Sequence, residues 1–347
     1  MSVNTTQTRT RGNARTGRGP AATATSARRA RPGQANLAQL RQAPIAGTRP
    51  RPSAPAAAVV TAYLKTQVAR LGELEPKVRA DEFDSVHQMR VTTRRLRATL
   101  RSFGTVIPRP ATSELAAELK WLGGLLGEAR DGEVLPQHLL ASLEQVPVEL
   151  LIGPVQARVQ GHFAPRRASA RELVIEAFGS ERYARLLADL DRLAHDPPLG
   201  PQAAAPARDV LPAAVRKAYR RARRRMRRAR HAPHGPDRDV ALHEARKSAR
   251  RARYAAEAAS PAGGKPARRF ARQMKKVPSV IGDHQDTVIA RQAARDLGIG
   301  AHLAGENAYT YGLLYERELH QAERLQAGAR TVWKKASRPR YRKWMKG

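Results

Sequence analysis

From about residue 54 onward, apolar and polar positions follow the period of an α-helix. Val86, Met89, Thr93, Leu96, Leu100 and Phe103 recur at spacings of three and four, which line one face of a helix. Leu242, Ala245, Ala249, Ala252 and Ala256 do the same further along the chain. The segment SERYARLLADLDRLAH, residues 180–195, reads as one helix with Ser180 as its N-cap. Another long helical pattern runs from about 303 to 335. No run alternates in the manner of a half-buried strand. The pattern predicts an all-α protein.

Two breaks divide the chain. Residues 196–212, DPPLGPQAAAPARDVLP, carry five prolines, which are expected to stop any helix and form a linker. They separate a stretch at 54–195 from one at 209–336, together spanning a helical domain at 53–336. Residues 1–52 hold ten arginines, no acid and few large apolar side chains. Such a segment cannot offset its ordering entropy and is expected to be a disordered basic tail. Residues 337–347 read as a second, C-terminal basic tail; in the segment WKKASRPRYRKWMKG that leads into it, Trp333, Tyr341 and Trp344 either stack on bases or anchor the last helix.

Charge sharpens the picture. The 64 Lys and Arg against 30 Asp and Glu give a formal charge of +34, which repels itself in a compact state and favours a polyanionic partner. The candidates are nucleic acid, polyphosphate and anionic membrane. With no cysteine, disulfide scaffolds and thiolate metal sites are excluded. No stretch is apolar enough to span a bilayer, and the N-terminus lacks the apolar region of a secretory signal. Its Arg-rich, acid-free start resembles a transit peptide superficially. The same Ala, Arg and Pro bias continues through the chain, so a bacterial-style tail and a cytoplasmic location are expected.

The two stretches repeat each other. In VHQMRVTTRRLRATLRSF, His87 is followed at +3, +7 and +10 by Arg90, Arg94 and Arg97. In LHEARKSARRARYAAEAA, His243 is followed at the same offsets by Arg246, Arg250 and Arg253, with Lys247 one turn after the histidine. Tyr63 and Tyr219 each precede their histidine by 24 residues. Lys120 precedes Gly127 by seven and Asp131 by eleven, and Lys275 precedes Gly282 and Asp286 by the same intervals. A duplicated unit of about 156 residues, the His-to-His offset, is the simplest account. Offsets of 3, 7 and 10 share one helical face, so each helix carries a His–Arg stripe beside its apolar stripe, presenting cations over about 15 Å. An extended chain of phosphates fits such a stripe better than a small anion does, and Arg offers phosphate a bidentate fork. A merely solvated basic face is the alternative. Residues 215–231 add ten Arg or Lys without an acid. Arg216, Arg220, Arg223 and Arg227, beside the apolar stripe of that helix, are expected to join the same groove.

At these residues the chain resembles the CHAD domain family, helical domains named for a characteristic histidine. The resemblance rests on the two His–Arg segments, on ELKWLGGLLGEARDGEVL and VPSVIGDHQDTVIAR, and on GENAYTYGLLYERELHQAERL, and covers roughly 54–336. It implies an all-α domain of two tandem related four-helix units with a basic central groove that binds inorganic polyphosphate, in some members at polyphosphate granules. By that resemblance His87, Arg90, Arg94, Arg97 and Lys120 line one side of the groove. His243, Arg246, Arg250, Arg253 and Lys275 line the other. The second copy has Tyr254 and Glu257 where the first has Ala98 and Arg101, so one half of the groove is expected to be more positive.

Other motifs carry less. Glu73-Leu-Glu75-Pro-Lys77 matches the ExExK signature of the CYTH triphosphatases, but it is expected to fall between two helices with no β-tunnel domain following. His243-Glu244 begins like HExxH, but position 247 is Lys and the second zinc ligand is missing. The glycines near Gly127 lack the GK[ST] of a P-loop and read as positions of close helix packing or of a helix end. Asp131 and Asp286 are expected to orient His or Arg, with helix capping as the alternative. The leading expectation is a non-enzymatic polyphosphate-binding protein without cofactor or metal. Nucleic-acid binding, aided by the basic tails, is the alternative. Hydrolysis of polyphosphate or triphosphate rests only on ExExK and the paired acids.

Overall fold

The structure is a computed structural model that describes Met1 and residues 53–346; beyond Met1, the N-terminal tail expected at 1–52 lies outside the described residues. Nine α-helices follow in order: α1 Ala56–Arg79, α2 Ser85–Ser102, α3 Ser113–Leu143, α4 Val155–Gly179, α5 Glu181–His195, α6 Ala207–His231, α7 Pro236–Ala258, α8 Ser260–Leu303 and α9 Tyr309–Ala336. No strand occurs among the described residues. No helix among them is long and apolar enough to cross a membrane.

Successive helices pack on each other except α5 and α6, which the proline-rich break separates; α5 packs on α1 and α4, α6 on α7 and α1, and α2 packs across the molecule on α7. The stripes read from the sequence are what is buried: Val86, Met89, Leu96, Leu100 and Phe103 on α2, and Leu242, Ala245, Ala249, Ala252 and Ala256 on α7. Thr93 is also buried and satisfies its hydroxyl by donating to the Met89 carbonyl at 2.9 Å. Methyl side chains on α7 let its neighbours approach closely, which suits a core with few aromatics. A second apolar cluster joins the far ends of α3 and α8 to α4 and α9, through Leu139, Leu143, Val159, Phe163, Leu297 and Leu314.

The proline-rich break is shorter than the sequence suggested. Helix α6 begins at Ala207, inside the expected 196–212 linker, and carries Pro212. A proline so near a helix start forfeits a single bond to a first-turn carbonyl and does not end the helix. The stretch before the linker contains five helices and the one after it four, α5 being the additional member; Ser180 caps α5 by accepting from the Tyr183 amide. The segments entering α1 and α6 pair with each other, Ala56 N to Ala205 O at 2.8 Å and Ala207 N to Ala54 O at 2.9 Å. The last long helix starts at Tyr309 rather than near 303, because Gly305 turns the chain at φ +75°.

Two further expectations change. Glu73-Leu-Glu75-Pro-Lys77 lies within the last turns of α1, not between helices. There Glu75 is buried and pairs with Arg79 at 2.9 Å, a structural ion pair. The C-terminal segment, expected as a tail, is packed: Met345 is buried and Trp344 meets Phe270 edge-on at 6.4 Å. Trp333 stacks on Tyr219 with ring centroids 5.9 Å apart, so these aromatics anchor the end of the chain.

Candidate polyanion-binding groove

The His–Arg stripes of α2 and α7 sit beside apolar stripes that seal the core, so the packing of α2 on α7 sets the two rows of cations against each other. Arg90 and Arg94 from α2 act electrostatically on Arg246 and Arg250 from α7. Among the described residues, no carboxylate lies within ion-pair distance of Arg94, Arg97, Arg246, Arg250 or Arg251, whereas Arg90 reaches Asp131 at 3.2 Å.

The result is an array of cations that resist their own charge. Burial, then repulsion from Arg246, Arg94 and Arg90, lowers the Arg250 pKa to about 9. Burial lowers Arg94 and Arg246 in the same direction, with Asp286 opposing the shift at Arg246. An arginine ordinarily holds its proton under all conditions. Its depression reflects burial first and then the like charges around it.

Helices α3 and α8 fix where the guanidiniums lie. A Cβ placed at Gly127 would stand 3.4 Å from Arg90 Nη2, and one at Gly282 only 2.9 Å from Arg246 Nη2. These glycines, equivalent in the sequence repeat, seat equivalent arginines. Thr93 faces Gly123 in the same antiparallel register, which brings the exposed Lys120 level with Arg97. By the same register Lys275, also exposed, lies level with Arg253. Arg246 also donates from Nε to the Pro278 carbonyl at 3.3 Å.

The histidines occupy the starts of both rows, half-buried. Burial lowers the pKa of His87, helped by Arg130, Arg94 and Arg90 against Asp84. Burial likewise lowers His243, with Lys247 and Arg246 adding to the shift and Gln285 opposing it. His243 Nδ1 and Gln285 Oε1 are 3.0 Å apart, so the imidazole is held from α8. Near this end lie the acids. Asp286 and Asp283 act on Arg246, and burial raises the pKa of both carboxyls.

The opposite end is unequal. Glu257 holds Arg95 of α2 at 3.3 Å and Arg253 of α7 at 2.6 Å, so Arg253 spends its charge inside the protein. On the other flank Arg97 continues to Arg101, and both act on Arg251 together with Arg109 and Arg221. Burial and these neighbours lower the Arg251 pKa to about 10.

Of the residues singled out from sequence, Arg90, Arg94, Arg246 and Arg250 form the centre, His87 and His243 start the rows, and Arg97 extends them. Lys247 is half-exposed and occupied by Glu244. Arg216 is partly exposed on α6 and pairs with no carboxylate among the described residues. Arg220 and Arg223 line a different cleft, against α9. The α6 cation that reaches the rows is Arg221. Arg101 was findable, since +14 from His87 continues the 3, 7, 10 series. Arg251, Arg221 and Gln285 belong to no repeat spacing.

A family model for the CHAD domain matches residues 62–295. Two curated proteins of Mycobacterium tuberculosis, both described as uncharacterized and from strains CDC 1551 and H37Rv, are 35% identical over 291 residues, 83% of this chain. The chain spans 55% of the length of each of those relatives. PptA from Streptomyces chartreusis shares the fold with a TM-score of 0.68 at 22% identity, over 81% of this chain and 99% of that one. The CHAD domain from the plant Ricinus communis shares it with a TM-score of 0.64 at 24% identity, over 85% of this chain and 96% of that one.

Proposed function

Because the chain belongs to the CHAD domain family, we propose that it binds inorganic polyphosphate in the groove between α2 and α7 and holds the polymer without cleaving it. The observation that carries this reading is the set of half-buried guanidiniums without carboxylate partners, Arg94, Arg246 and Arg250, close enough across the two helices to act on one another. A row of phosphates supplies the missing negative charge along the whole array, which one small anion does not. The groove asymmetry supports a direction for the polymer, from the acids beside Arg246 toward Arg101, Arg109 and Arg251. Asp131 is tied to Arg90, and the Asp286 carboxyl is pushed up by burial; both serve to position guanidiniums. The paired Arg90–Gly127 and Arg246–Gly282 seats support an origin in two related units. The reading extends to association with polyphosphate granules in the cytoplasm.

Titration with long-chain polyphosphate, followed by challenge with single-stranded RNA and duplex DNA, tests it. Polyphosphate should resist displacement, and no orthophosphate should be released over the incubation. With about eight cations in contact, the log–log salt slope should be roughly −6, taking −0.7 per contact as for single-stranded polyanions. A flat salt response overturns the groove.

The glycine seats give a second test. In Gly282→Ala the new methyl must displace Arg246, whose far end is flexible, so the protein should fold with unchanged helicity and equal or higher stability. Polyphosphate affinity should fall several-fold. Gly124→Ala, which meets nothing within 4 Å, is the control and should leave affinity unchanged.

A further inference from the structure

Helix α6 sends its cations to two sides. Arg221 acts on Arg251 and Arg225 approaches Glu244, both on α7. Arg220, Arg223, Arg227 and Arg230 line instead a cleft of about 990 Å³ against α9. Their offsets of 3, 7 and 10 repeat the spacing of the central stripes and put them on one helical face. From α9, Arg330 and Lys334 complete the lining. No carboxylate pairs with any of these six among the described residues. The cleft also contains a partly exposed aromatic platform, whereas Tyr254 beside the central rows is buried beneath Arg95 and Arg253. Trp333 borders it, half-buried, with one face covered by Tyr219 at 5.9 Å and 11°.

We infer that the α6–α9 cleft is a separate site for single-stranded nucleic acid, in which Trp333 stacks a base while the α6 arginines follow the backbone. Inorganic polyphosphate has no group for an indole face. A single strand offers both a phosphate track and exposed bases, and cations flanking an aromatic side chain are the elements that bind it without sequence preference. Duplex DNA keeps its bases stacked and presents none to Trp333.

The test uses the full chain and three probes: a fluorescent oligouridylate of about 15 nucleotides, an abasic strand of equal length, and long-chain polyphosphate. Arg223→Gln with Arg227→Gln should weaken oligouridylate binding roughly tenfold and lower its salt slope by about 1.4, while polyphosphate affinity changes less than about twofold. Trp333→Leu should remove the preference for oligouridylate over the abasic strand. If that variant loses stability, the arginine pair and the wild-type comparison of the two strands decide alone. The site is overturned if the arginine pair leaves oligouridylate binding intact, if wild type binds both strands equally, or if polyphosphate affinity falls in parallel. None of these outcomes touches the central groove, which is tested by substitutions on α2 and α7.

Discussion

Replacing Arg94 and Arg250 with Gln together should weaken polyphosphate binding by about 100-fold or more and, at the same time, raise the melting temperature of the unliganded protein. Each guanidinium makes charged hydrogen bonds to phosphate worth about 1.5–3 kcal/mol, so two of them account for the loss. The stability gain follows from what these residues do without ligand. Burial and like charge lower the Arg250 pKa from the ordinary arginine range to about 9, which sets its destabilisation of the folded state on the order of a few kcal/mol. The pH dependence has a definite sign. From about pH 9 up to the ordinary arginine range the unfolded chain holds the Arg250 proton and the folded chain has shed it, so wild-type stability should rise with pH across that window. The double variant should lose this rise. Calorimetry with and without polymer measures both effects. A variant that loses binding and stability together would mean that these arginines hold the fold and that the groove reading is wrong.

Polyphosphate binding should tighten by roughly tenfold as pH falls from about 8 to about 5.5, and His87→Gln with His243→Gln should abolish most of that change. In the empty groove both imidazoles titrate below their ordinary value, chiefly through burial and then through neighbouring cations. A bound polyanion favours the protonated ring and raises its pKa. Protons are therefore taken up on binding between the free and bound values, and affinity rises as pH drops through that window. The groups acting on these rings are Asp84, Arg130, Arg94 and Arg90 at His87, and Gln285, Lys247, Arg246 and Glu244 at His243, none of them another imidazole. The internal phosphates of the polymer remain ionised. Without ligand the sign is opposite, because a lowered imidazole pKa makes the fold more stable as pH rises toward 6.5. Equal pH profiles for wild type and the Gln pair would assign the histidines a packing role only.

The legible part of the protein was what a single helix decides for itself. The stripe from Val86 to Phe103 and its neighbour from His87 to Arg97 are fixed by 3.6-residue periodicity, and the matching stripes on α7 repeated the message. What one helix cannot specify is which neighbour each face meets. Helix α6 is cationic nearly all round, so periodicity could not assign Arg221 to the central rows and Arg220 and Arg223 to α9. Gln285 reaches His243 from another helix, 42 residues away in sequence. Pro76 and Pro212 misled for a local reason: each sits near a helix end, where one lost hydrogen bond is tolerated. The glycines were recognised as packing positions, but only tertiary structure reveals that what packs on them is a guanidinium.

Those glycines set a trap for anyone engineering a hardier version of this protein. Exchanging helical glycine for alanine is a common route to thermostability, worth up to about 1 kcal/mol per position. At Gly124, Gly161, Gly300 and Gly312 the added methyl meets nothing within 4 Å, and the exchange should succeed. At Gly282 the same exchange leaves the helix content intact while evicting Arg246 from its seat, whereas at Gly127 the methyl only comes into contact with Arg90. A screen scored on heat resistance alone would collect all six substitutions and discard the ligand site without registering the loss.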